Sequence, residues 1–207
     1  MNYSNFRYRP VVGLSGCGKS EFLDKRRAIG NQVVSVEALA GVTGVCLAPA
    51  FDTPLISQSE FDERLLVTFE TFDFEQEVWV EWKGTRVTGL ALPPAPCNTV
   101  RRGRALFIDA ELEERVERLV TCYSEWAEHL DSAATKLASI PEMNQDVANK
   151  LRQLAEERDV HAFVRTMLTR HFDPLYEREF AHFKMSTREA EKYSANAVSP
   201  SGVLSVG

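Results

Sequence analysis

Gly13-Leu14-Ser15-Gly16-Cys17-Gly18-Lys19-Ser20 constrains this chain more than any other stretch. A glycine, four residues and then Gly-Lys-Ser form the pattern of a phosphate-binding loop. The pattern requires a strand before it and a helix after it. Pro10-Val11-Val12 reads as the buried strand, and Ser20 to Ala28 is helix-forming with no breaker before Gly30. Loop amides and the positive end of that helix then converge on one anion. Gly13, Ser15, Gly16, Cys17, Gly18, Lys19 and Ser20 are the expected phosphate-binding residues. Lys19 would reach the terminal phosphates, and the Ser20 hydroxyl would join a magnesium shell.

Further strands follow in α/β alternation. Gln32 to Val36 is a β-branched run closed by Glu37, a carboxylate at the strand edge where open sheets bind ligands. Glu77 to Trp82 is the next buried strand. Its Glu81 is the candidate magnesium-side carboxylate, and Glu37 is a candidate base for an acceptor hydroxyl. Lys19, Glu37 and Glu81 are thus the candidate catalytic set. Between these strands, Ala40 to Ser59 reads as a long loop, with Ser59 capping a helix from Glu60. Pro93-Pro94-Ala95-Pro96 is expected to stop regular structure. Ala105 to Ile108, closed by Asp109, forms a compact strand before an amphipathic helix from Glu111 to Val120. Arg101, Arg102 and Arg104 before that strand read either as a solvated face or as a phosphate- or RNA-backbone contact. The RNA reading requires them to share one face with the mouth of the loop.

From Tyr123 the strands stop, and helices follow with breaks near Ile140-Pro141 and Asp159. The expected fold is a P-loop NTPase-like three-layer α/β architecture with a mainly parallel sheet and a C-terminal helical extension. Residues 1–122 form the core, 123–190 the packed helices and 191–207 a disordered tail. Asp173-Pro174 is expected to end the last helix in a turn, and His171 beside aromatic residues reads as structural. Four cysteines, Cys17, Cys46, Cys97 and Cys122, lie far apart without metal-ligand spacing and read as free thiols of a cytoplasmic protein. No stretch reads as a membrane span, and the net charge of −6 excludes wholesale electrostatic binding of nucleic acid.

The loop, Val36-Glu37-Ala38-Leu39-Ala40, Val78-Trp79-Val80-Glu81 and His171-Phe172-Asp173-Pro174-Leu175-Tyr176 occur in an order that resembles one family. It is the P-loop domain of bacterial tRNA 2-selenouridine synthase, and the resemblance covers roughly residues 10–180. It implies exchange of sulfur for selenium at the wobble 2-thiouridine of tRNA through a geranylated intermediate. The implied partners are a phosphorylated small molecule, tRNA and a separate rhodanese-like protein, because nine residues precede the first strand where the family carries a rhodanese-like domain. The implied cofactor is Mg2+ with a nucleoside triphosphate or a diphosphate-bearing donor. The chain departs from the family at Gly41-Val42-Thr43-Gly44, where the family has Asn-His-Arg-Gly. It departs again at Trp82-Lys83-Gly84, where the family is acid-rich. The alternatives are a small-molecule or nucleotide kinase or triphosphatase, with Arg115 and Arg118 as lid arginines, and a non-catalytic phosphate-binding module.

Overall fold

The computed structural model describes residues 2–42, 56–87, 89–122, 126–140, 142–178 and 191–194. Most of the expected loop after Ala40, with Cys46, lies outside them, as do Pro141 and the side chain of Cys122.

The sheet is built on strand β1 (Arg7–Val12), flanked by β3 (Glu77–Glu81) and β6 (Leu106–Asp109), with β2 (Gln32–Val34) outside β3 and β7 (Glu191–Ser194) outside β6. Every pairing in it is parallel. Parallel strands covered on both faces read as nearly continuous apolar runs, which is how β1 and β3 look. Residues of opposite parity feed opposite faces. Val11, Val33, Trp79, Leu106 and Ile108 meet Phe22 and Leu23 of α1 (Lys19–Ala28) on one side. Tyr8, Val12, Val34, Val78 and Val80 meet α3 (Gln58–Glu70), α4 (Pro94–Val100) and α5 (Leu112–Cys122) on the other. Three layers result. The short helix α2 (Val36–Leu39) follows β2, and β4 (Arg86–Val87) with β5 (Leu90–Ala91) forms a separate antiparallel hairpin.

A proline inside a central strand is unusual because it cannot donate to the ladder. The Val11 carbonyl accepts from Trp82 N–H on the β3 side, so Pro10 faces the β6 side. There β6 begins only opposite Val11, and no ladder bond is lost. The chain passes Pro10 at Gly103 instead. A Cβ at that position would lie 2.5 Å from the Tyr8 carbonyl oxygen and 2.8 Å from Pro10 Cδ, so only glycine fits.

The C-terminal helices α6 (Trp126–Ala138), α7 (Gln145–Glu156) and α8 (Val160–Met167) share one continuous apolar cluster with the sheet. Leu130, Leu151 and Phe163 belong to the same cluster as Val12 and Val80.

Four expectations are corrected. The proline run does not end structure: Pro94 opens α4, because proline in the first helical turn loses only an amide that has no partner there. Ser57, not Ser59, caps α3, its hydroxyl accepting from Glu60 N–H at 3.2 Å. Asp173-Pro174 does not end the last helix, which runs on through 173–178. The turn before it, Leu168–Phe172, is a π-helix, and this widened geometry accommodates the amide that Pro174 lacks. Finally, residues 191–194 of the expected tail form β7, because the open backbone groups of β6 pair with any extended segment regardless of composition. Residues 195–207 lie outside the described set.

Candidate phosphate-binding site

The loop leaves β1 and enters α1 through Gly18, whose left-handed backbone (φ 94°) turns the chain into the helix. At Gly16 (φ 80°) a Cβ would stand 2.8 Å from the Arg115 carbonyl oxygen, so α5 packs directly on the loop. The Lys19 ammonium folds over the loop and donates to the carbonyls of Gly13 at 2.7 Å and Leu14 at 2.9 Å. Cys17 is buried with its thiol 3.7 Å from that ammonium. Ser15 is also buried, and its hydroxyl has no hydrogen-bond partner.

A cleft of about 590 Å3 opens above the loop, lined by Ser15, Gly16, Gly18, Lys19 and Ser20. Glu37 and Glu81 line the same cleft, so the structure brings the candidate catalytic set together. Glu37 does not close a strand as expected: β2 ends at Val34 and Glu37 comes from α2, while Glu81 stands at the end of β3, paired with Val11 of the loop's own strand. Glu81 is fully buried. One carboxylate oxygen accepts from the Ser35 hydroxyl at 2.9 Å, and the other has no hydrogen-bond partner.

Three contributors escaped the sequence reading. The first is Lys83, whose ammonium contacts the Glu37 carboxylate and lies 3.7 Å from Glu81 Oε1, with only 9% of the side chain exposed. Its signal was masked by Gly84, which makes Lys-Gly read as a turn. The second is Arg115, treated above as a lid arginine. Its Nε donates to the Ser15 carbonyl at 2.8 Å, and its guanidinium holds both oxygens of Asp173 at 2.6 and 3.0 Å. It is therefore an anchor beneath the loop. Arg118, one turn on, does line the cleft and donates to the Gly16 carbonyl. The third is Asp173 itself, which gives the His171-to-Tyr176 segment a structural purpose.

Arg101, Arg102 and Arg104 are not at this site. They precede β6, and none lines the cleft. Arg101 stacks over the Trp82 ring at 5.9 Å. His171 is buried edge-on against Phe172, also away from the cleft, and burial pushes its pKa down.

Burial pushes the Glu81 carboxyl above its ordinary value of 4.5, against the opposing pull of Lys19 and the Ser35 hydroxyl. Burial also holds the Lys83 ammonium well below the usual lysine range, and Lys19 adds repulsion. The folded chain thus binds the Glu81 proton more tightly than the unfolded chain does. The resulting stabilisation is complete below pH 4.5 and is lost as pH rises through the folded pKa. The melting temperature of the wild type minus that of Glu81→Gln is therefore expected to fall as pH rises above 4.5. A difference that grows over that range in thermal scans would show that Glu81 is held as the anion.

The donors for a magnesium ion are only partly suited to one. Ser20 and Glu81 line the same cleft. However, an ammonium already stands against both candidate carboxylates. At about 4 Å, two unit charges of one sign repel by about 4 kcal/mol at the effective dielectric of a protein site. As it stands, the set does not fit a divalent cation. Among the described residues, no three of His, Cys, Asp or Glu converge into a metal cage.

Residues 7–157 match the family described as the tRNA 2-selenouridine synthase AAA domain. The chain belongs to that family. The match spans the loop, Glu37, Glu81, Lys83, Arg115 and Arg118, and ends before Asp173. No curated protein matches the chain at a significant level. Among the described residues, no helix is long and apolar enough to cross a membrane.

Proposed function

We propose that this member of the selenouridine synthase family binds the diphosphate of a donor molecule in the cleft and serves wobble-uridine modification of tRNA. The observation that carries the proposal is the phosphate loop, which opens into a cleft with Lys19, Arg118 and a buried, unpartnered Ser15 hydroxyl around it. Within the family resemblance, a geranyl diphosphate suits this arrangement. Loop amides, the α1 N-terminus and the Lys19 ammonium would stabilise the charge that develops on a departing diphosphate. Lys19 would exchange its carbonyl partners, Gly13 and Leu14, for phosphate oxygens. Glu37 and Glu81, held by Lys83 and Ser35, would orient the cationic side of the cleft.

Calorimetry with geranyl diphosphate, ADP and ATP, each with and without tRNA, tests the proposal. Geranyl diphosphate is expected to bind, and Lys19→Ala to weaken it by about 10- to 100-fold, the value of one charge-assisted hydrogen bond. Tight ATP binding with hydrolysis, and no response to geranyl diphosphate or tRNA, would replace this reading with a kinase or triphosphatase. Phosphate binding with no turnover and no tRNA response would leave a binding module.

A further inference from the structure

We propose that the Lys83 ammonium takes the place of the divalent cation in this cleft, so that a diphosphate binds here without metal. The inference rests on the diphosphate reading above and deepens it.

Three observations support it. First, Lys83 follows two residues after the end of β3 and lines the same cleft as Glu81. Second, it touches Glu37 and stands 3.7 Å from Glu81, the position from which a carboxylate would hold a metal. Glu37 thus already has a cationic partner. Third, Lys83 and Lys19 both line the cleft. Two ammonium groups facing one cleft are relieved by an anion that lies between them, and a diphosphate supplies oxygens to both. The remaining charge meets the loop amides, the start of α1 and Arg118.

The substitution has a chemical consequence. An ammonium gives positive charge and up to three hydrogen bonds, but it does not coordinate water and make it a nucleophile, as a metal does. Such a site holds a diphosphate and stabilises its departure, yet is poorly equipped to hydrolyse a nucleoside triphosphate.

The test uses the full chain with inorganic pyrophosphate as probe, titrated calorimetrically in EDTA and in magnesium. Wild-type affinity is expected to change by less than about threefold between the two buffers, under half a decade of binding constant. Lys83→Met is expected to lose about tenfold or more in EDTA, one charge-assisted hydrogen bond, and to recover part of it in magnesium. Wild-type binding that needs magnesium would overturn the proposal and leave the diphosphate reading standing. Absence of pyrophosphate binding in both buffers would overturn both. Undiminished binding by Lys83→Met in EDTA would also overturn the proposal. If that variant does not fold, the wild-type comparison decides alone. Displacement of pyrophosphate by ADP or by geranyl diphosphate then separates a nucleotide from a prenyl source of the diphosphate.

Discussion

Arg115→Ala is expected to destabilise the chain by about 3–5 kcal/mol, the usual loss when one partner of a buried ion pair is removed. The side chain is 4% exposed and its partner Asp173 15% exposed, so water replaces little of the lost contact. The deletion also leaves the Ser15 carbonyl without its 2.8 Å donor. Chemical denaturation measures the loss. Asp173→Ala should be milder, and the double variant should cost much less than the two single changes added together. A coupling of about 0.5–3 kcal/mol is typical of residues in one such network. Additive effects would mean that the two residues stabilise the fold separately. Phosphate affinity should fall in parallel, because the anchored stretch of loop is also the one with a buried, unsatisfied hydroxyl.

Phe163→Ala is expected to cost about 3–5 kcal/mol as well, through the cavity left by a large aromatic side chain. Phe163 is wholly buried in the cluster that also holds Val12 and Val80 of the sheet. The informative part is the shape of the transition. In a Trp126→Phe background, fluorescence reports on Trp79 and Trp82 in and beside the sheet, while far-ultraviolet circular dichroism is dominated by helices. Coincident transitions in both signals are expected for wild type and variant, since one core serves both regions. A variant in which helical signal melts well before the fluorescence change would divide the chain into separate units near residue 122.

Local chemistry was legible from sequence, and long-range chemistry was not. The phosphate loop announces itself because strand, glycines, lysine and helix are contiguous. Glu81 was visible because an acid at the end of a buried apolar run has few other purposes. Lys83 was hidden by the Gly84 beside it, which makes Lys-Gly read as a solvent turn. Arg115 read as a lid arginine of the kinase alternative, and Asp173 as the start of a turn. Their meaning lies in each other and in a carbonyl of the loop, and no periodicity encodes that. The proline run misled because proline ends a helix or begins one according to position, and only the register of the preceding chain tells which. The edge strand β7 was missed for a related reason: its partner β6 lies far away in sequence, and pairing there depends on backbone alone.

The anchor under the loop also orders events during synthesis. Ser15 is made early, its donor Arg115 comes a hundred residues later, and Asp173 a further fifty-eight after that. At about 5–20 residues per second, the ribosome needs on the order of ten seconds to pass from the first to the last. Throughout that interval the nascent chain carries a complete phosphate-loop motif without the ion pair that braces it. The loop is therefore braced only after the segment that carries Asp173 has been made.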